Sequence, residues 1–179
     1  MQSSASRAWR RTVGGRLAPT LGLTIQPRCT FTVNSRPPAL DRFLDAQSAQ
    51  YETALAELRL GRKQSHWIWY VLPQLRGLGM SSMSHQYGIA GLAEAQAYLA
   101  HPVLGARLRE CVAAISAHQG TSAAEILGDI DAMKFRSCLT LFSAAEQDTQ
   151  LFTKALQQFF GGKPDMQTIK LLAAQDGEA

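Results

Sequence analysis

The chain has 179 residues, 46% hydrophobic and 18% charged, which suits one domain with a real core and argues against disorder over most of its length. Its net charge of +4 belongs to the first forty residues, which hold six arginines and no acid; the other 139 hold 12 basic and 14 acidic groups, a net of −2. Bulk electrostatic binding to nucleic acid is therefore not expected, and no apolar run approaches the roughly 20 residues that span a bilayer.

Residues 1–40 are rich in Arg, Ser, Thr, Gly and Pro and are set apart as a disordered extension. Two readings of it stand: a mis-assigned start, or an organelle transit peptide, which is typically Arg-rich and poor in acid. The first places the protein in the cytoplasm and the second in the mitochondrial matrix. Residues 41–174 then form an α-helical domain, and 175–179 a short tail. Cys29, Cys111 and Cys138 are odd in number and widely spaced, with no metal-ligand pattern, so neither a disulfide framework, a metal site nor a bound cofactor is expected.

The spacing of Phe43, Leu44, Gln47, Tyr51, Leu55 and Leu58 predicts a helix over residues 41–60, capped by Asp41 and stopped by Gly61. Residues 62–81 are aromatic and then broken by Pro73, Gly77 and Gly79; they read as one helical turn or a short strand, followed by an ordered loop. Short helices are predicted over 82–87 and 92–99. A longer one runs to about residue 118, with Pro102 at its first position. Ser122 caps another turn through Leu127. Strong amphipathic helices follow over 129–145 and 148–160. Asp165 caps a last helix to about residue 174. The fold class is all-α (mainly α), a single-domain helical bundle with an ordered aromatic and glycine loop.

The helix from Asp129 carries the most informative signal. At about 100° per residue, Asp131 and Lys134 both fall within its apolar sector, three residues apart and able to touch. Either they form a structural ion pair, or they meet a ligand and move a proton. The second candidate is the cluster of His66, Trp67, Trp69 and Tyr70, which reads either as a core plug or as rings that stack on a planar ligand. The third is Gly77-Leu78-Gly79-Met80-Ser81-Ser82. It has the outline of an anion-binding loop but not the ending of a phosphate-binding loop, and a plain turn competes with it. Gln74 and Arg76 flank it. Ser137 and Thr140 read as polar residues at the helix edge.

The signals together resemble a mostly bacterial family, domain of unknown function 1810. The resemblance rests on Asp41-Arg42-Phe43 with Gln47, His66-Trp67-Ile68-Trp69, and Pro73-Gln74-Leu75-Arg76-Gly77-Leu78-Gly79. It continues through Tyr98 to Leu108, Asp131-Ala132-Met133-Lys134-Phe135-Arg136-Ser137, Leu139 to Phe142, Phe160-Gly161-Gly162 and Asp165. It implies a mainly α-helical domain and no particular activity. The order of elements is also similar to that of N-glycosidases acting on ADP-ribose-like riboflavin intermediates, with Asp131, Lys134, Trp67 and Trp69 as counterparts at fold level.

These readings give two expectations of function. One is a site for a nucleotide-like small molecule: Trp67 and Trp69 stack it, Lys134 and Arg136 meet its anionic group, Asp131 orients or deprotonates it. His66, Gln74, Gly77, Gly79 and Ser81 complete the ligand-binding set. The other is a non-enzymatic module that binds a protein partner.

Overall fold

The computed structural model describes residues 40–146 and 150–176. Within them the chain forms nine helices, α1 (Asp41–Arg59), α2 (Ile68–Val71), α3 (Ser82–Tyr87), α4 (Leu92–Ala100), α5 (Leu104–Ser116), α6 (Ala123–Leu127), α7 (Asp129–Ala145), α8 (Gln150–Phe160) and α9 (Met166–Asp176). The expectations for residues 1–39 and for a helix start at Asp148 lie outside the described residues. No described helix is long and apolar enough to cross a membrane.

Helix α1 forms because Phe43, Gln47, Tyr51, Ala54, Leu55 and Leu58 fall on one stripe, and all six are buried. Its end is set by Gly61, whose φ of 68° suits the left-handed region. There the Gly61 and Arg62 amides donate back to the Leu58 and Glu57 carbonyls at 3.1 and 3.0 Å, satisfying two otherwise orphaned acceptors. Its start differs from expectation. Leu40 occupies the cap position and Asp41 the first helical turn, where its charge faces the positive end of the helix dipole rather than capping an amide.

The loop after α1 is folded back onto it by one carboxylate. Glu57 accepts from the backbone amides of Gln64 and Ser65, from the Ser65 hydroxyl, and from the indole N–H of Trp67 at 2.8 Å. Partial burial alone would raise its pKa; these hydrogen bonds outweigh that and lower it to about 2. The aromatic run then makes one helical turn, α2. Beyond it Leu75 pairs in parallel with Ile89, through Ile89 N–H to Gln74 O at 2.9 Å and Arg76 N–H to Ile89 O at 2.8 Å. The loop of 72–81 is therefore pinned at its middle.

Helix α7 lies at the centre and packs against α4, α6, α8 and α9. Its inner face supplies Phe135, Cys138, Leu139, Leu141 and Phe142, all fully buried. Phe142 stacks on Phe152 with centroids 5.9 Å apart, and Tyr98 meets Phe43 edge-on at 5.0 Å. Gln47, a polar group deep in this core, is hydrogen-bonded at both ends of its amide: it donates to the Tyr70 carbonyl and the Tyr98 hydroxyl and accepts from Arg107. Cys111 and Cys138 are free and buried, their thiols pushed up by burial, Cys111 to about 12, so they pack as small apolar groups.

Three local expectations are corrected. Pro102 lies before the α5 cap residue Val103 rather than at the first helical position, because α5 begins only at Leu104. Helix α9 runs to Asp176 rather than to about residue 174. Ile130 is 66% exposed, so the edge of the presumed apolar sector of α7 on which it stands faces outward.

Candidate functional site

Asp131 and Lys134 come from the first turns of α7, where Gly128, at a φ of 83°, lets the chain turn out of α6 and straight into the next helix. Lys134 Nζ donates to Asp131 Oδ1 at 2.7 Å. A third residue completes the group: Lys63 Nζ meets Asp131 Oδ2 at 2.7 Å, and its side chain is only 10% exposed. Lys63 is carried there by the loop after α1, whose own Lys63 N–H donates to the Ile126 carbonyl of α6 at 2.8 Å. Partial burial alone would raise the Asp131 pKa. The hydrogen bonds and charges of the two lysines outweigh it and leave the carboxylate below its ordinary range. A carboxylate so held, with both oxygens engaged, is a weak proton acceptor.

The ammonium of Lys134 also lies 4.1 Å from the centre of the Trp69 ring. From this contact a cleft of about 290 Å³ opens, lined by Trp69, Gln74, Leu78 and Gly79 from the pinned loop. Ile130, Met133, Lys134 and Ser137 line it from α7, and Asp165 and Gln167 from the start of α9. Its size is near the lower bound of small-molecule sites. A shallower hollow of about 470 Å³ lies on the other side of Lys134, bounded by Lys63, His66, Gly128, Asp129 and Asp131 among others.

The structure thus brings together Trp69, Gln74, Gly79 and Lys134 in the cleft, with Asp131 and His66 on the neighbouring hollow. It does not bring the other four predicted residues there. Trp67 is fully buried, its N–H bound to Glu57, so it stacks on no ligand and is the core plug instead. Arg136 donates to the carbonyls of Lys163 and Pro164, holds the α8–α9 turn, and does not line the cleft. Ser81 caps α3 by accepting from the Ser84 amide. Gly77 is in the left-handed region at a φ of 96° and marks a turn. Gly79 has a packing reason of its own: a Cβ there would come within 3.1 Å of the Ser84 Cβ and 3.2 Å of its Oγ.

Sequence reasoning missed Lys63, Ile130, Met133 and Gln167. Lys63 carries no local signal, since its partner is 68 positions away. Asp165 was read only as a cap, and it is one, accepting from the Thr168 amide at 2.9 Å; that same cap sits on the cleft. Thr140, read as an edge residue, ties the two helices, donating to Arg136 O and accepting from Asp165 N–H at 2.8 Å. Among the described residues no three His, Cys, Asp or Glu side chains converge as a metal site would require.

The described residues form a mainly α-helical domain with a loop-lined cleft against its central helix. The chain belongs to the protein family of unknown function DUF1810, whose model matches residues 37–172. It is similar to the conserved hypothetical protein Rv1873 from Mycobacterium tuberculosis, known from a crystal structure: 47% identity, 77% of this chain and 99% of that one covered, and a TM-score of 0.76. Comparison with curated proteins finds no match.

Proposed function

We propose that the cleft between the 69–79 loop and α7 binds a small, planar, nucleotide-like molecule. The observation that carries this reading is the convergence of Trp69, Gln74 and Lys134, from two separate elements, on one partly apolar cleft. Lys134 spends one N–H on Asp131, which leaves further donors on its ammonium for a ligand. Leu78, Ile130 and Met133 supply apolar walls. The reading is one of binding rather than N-glycosidic hydrolysis, because Asp131, the candidate base, is clamped between two lysines and its proton affinity is lowered.

The experiment is a thermal-shift screen against nucleotides and nucleotide sugars, with Lys134→Ala beside the parent. A ligand at about 100 times its Kd stabilises by about 2.7 kcal/mol. A hit lost in a folded Lys134→Ala variant supports the reading; no hit across the panel removes it.

A second reading, a module that binds a protein partner, is favoured by the exposed apolar side chains at the cleft. Ile130 and Met133 line it, Met80 follows Gly79 at 90% exposure, and Met166 precedes Gln167 at 57%. Flexible Met-rich rims suit adaptable partner surfaces. Mixed-size elution with an added partner, without any small-molecule hit, would favour it.

A further inference from the structure

Gln74 is the unexplained residue of the cleft. It stands between buried Pro73 and Leu75, and its backbone is fixed by the pairing of this segment with Ile89. The residue is only 9% exposed, and its Nε2 is buried with no hydrogen-bond partner. Buried amides are almost always paired, and one that is not calls for a reason. The side chain lies where two spaces meet. On one side is the cleft with Trp69 and Lys134; on the other is a void of about 10 Å³ bounded by Ser84, Tyr87 and Gly88.

The other groups of the cleft are already committed in ways that narrow what can be recognised. One face of Trp69 is covered by the Lys134 ammonium, so recognition by stacking on that face requires the lysine to move. Ser137 donates its hydroxyl to the Met133 carbonyl. Asp165 Oδ2 is turned to the α9 cap. Charge does not select strongly either, since Lys134 shares the cleft with Asp165 and is itself paired with Asp131. What is left is the primary amide of Gln74, with the exposed amide of Gln167 at the rim: a donor and an acceptor side by side in one plane, which rotation about the last side-chain bond turns so that the covered Nε2 meets the cleft. Its complement is an edge with an acceptor beside a donor. A carboxylate presents acceptors only and sets one oxygen against Oε1.

The geometry points to a ligand with a planar amide edge, a carbonyl beside an N–H as in a carboxamide or a lactam-type heterocycle, paired with the side chain of Gln74. This rests on the cleft being a ligand site, and makes Gln74 its specificity-determining residue.

The test titrates the full chain with three probes of one shape: nicotinamide, which has the amide edge; 3-acetylpyridine, which lacks its N–H; and nicotinate, which is an anion. Binding is followed by the NMR signals of the Gln74 side-chain amide and the Trp69 indole. The expected result is nicotinamide binding about tenfold or more tighter than either analogue, with both signals shifting. Gln74→Leu, or Gln74→Met should the first variant fail to fold, is expected to abolish the preference. Equal binding of nicotinamide and 3-acetylpyridine with a shift at Trp69 overturns the pairing and leaves the cleft standing. So does nicotinate binding tightest, which assigns the site to Lys134 and an anion. An experimental structure with an ordered water bridging Gln74 to Ser84, and no response of the Gln74 signals to any probe, overturns it as a structural water only. Silence of the Trp69 signal to every probe and to the nucleotide panel removes the cleft reading as well.

Discussion

Lys63 and Asp131, 68 residues apart in the chain, meet at 2.7 Å with side chains 10% and 15% exposed. With Lys134 on the other oxygen, one carboxylate serves two ammonium groups. Removing it leaves two largely buried charges facing each other. Asp131→Ala is therefore expected to cost about 2–3 kcal/mol, below the roughly 3–5 kcal/mol of fully buried pairs because water still reaches the group. Lys134→Ala leaves Asp131 paired with Lys63 and is expected to cost less, about 1 kcal/mol. Urea denaturation of both variants checks the order; a milder Asp131→Ala would mean the triad is not architecture.

Glu57 gives the pH dependence. Its pKa falls from 4.5 when unfolded to about 2 in the fold. A depressed carboxylate contributes stability that is full above the unfolded value and is lost as pH falls through the folded one. The window is therefore about pH 4.5 down to about 2. Glu57→Gln is expected to cost about 1–2 kcal/mol at pH 7, after allowance for solvent screening. The gap between parent and variant should close through that window. Asp131 acts in the same direction, since its pKa is also lowered. Denaturation midpoints at pH 7, 4 and 3 measure it, and a gap independent of pH would contradict the assignment.

The two neighbouring tryptophans should behave differently. Trp67 is fully buried and hydrogen-bonded to Glu57, so Trp67→Phe loses volume and strands part of the acceptor's network; the expected cost is about 2–3 kcal/mol. Trp69 is half-buried on the cleft, and Trp69→Phe should cost under about 1 kcal/mol while weakening any ligand of the cleft. Equilibrium unfolding with the ligand-induced thermal shift separates the two effects.

Two glycines test backbone against space. At Gly105 a Cβ would lie 2.1 Å from the Leu99 carbonyl oxygen, so Gly105→Ala forces α4 and α5 apart and should cost more than about 3 kcal/mol. At Gly128 nothing lies within 4 Å, but φ is +83° and ψ 157°, a region almost confined to glycine, so Gly128→Ala should cost only the strain of that conformation, about 1–3 kcal/mol. Thermal unfolding of both, read against each other, checks the ranking.

Helix positions were legible because they follow from local chemistry. The stripe from Phe43 to Leu58, the left-handed turn at Gly61, and the caps at Ser122 and Asp165 each depend on residues within a few positions. The Asp131–Lys134 pair was legible for the same reason, being one helical turn apart. Tertiary structure alone decided the rest. It joined Lys63 to Asp131 and set Trp69 on the cleft. It buried Trp67 two residues earlier and turned Arg136 to the carbonyls of Lys163 and Pro164. Adjacent aromatic residues carry the same local preference. Which one fills the core depends on packing against α1 and on a carboxylate at Glu57, neither of which spacing within the segment can reveal.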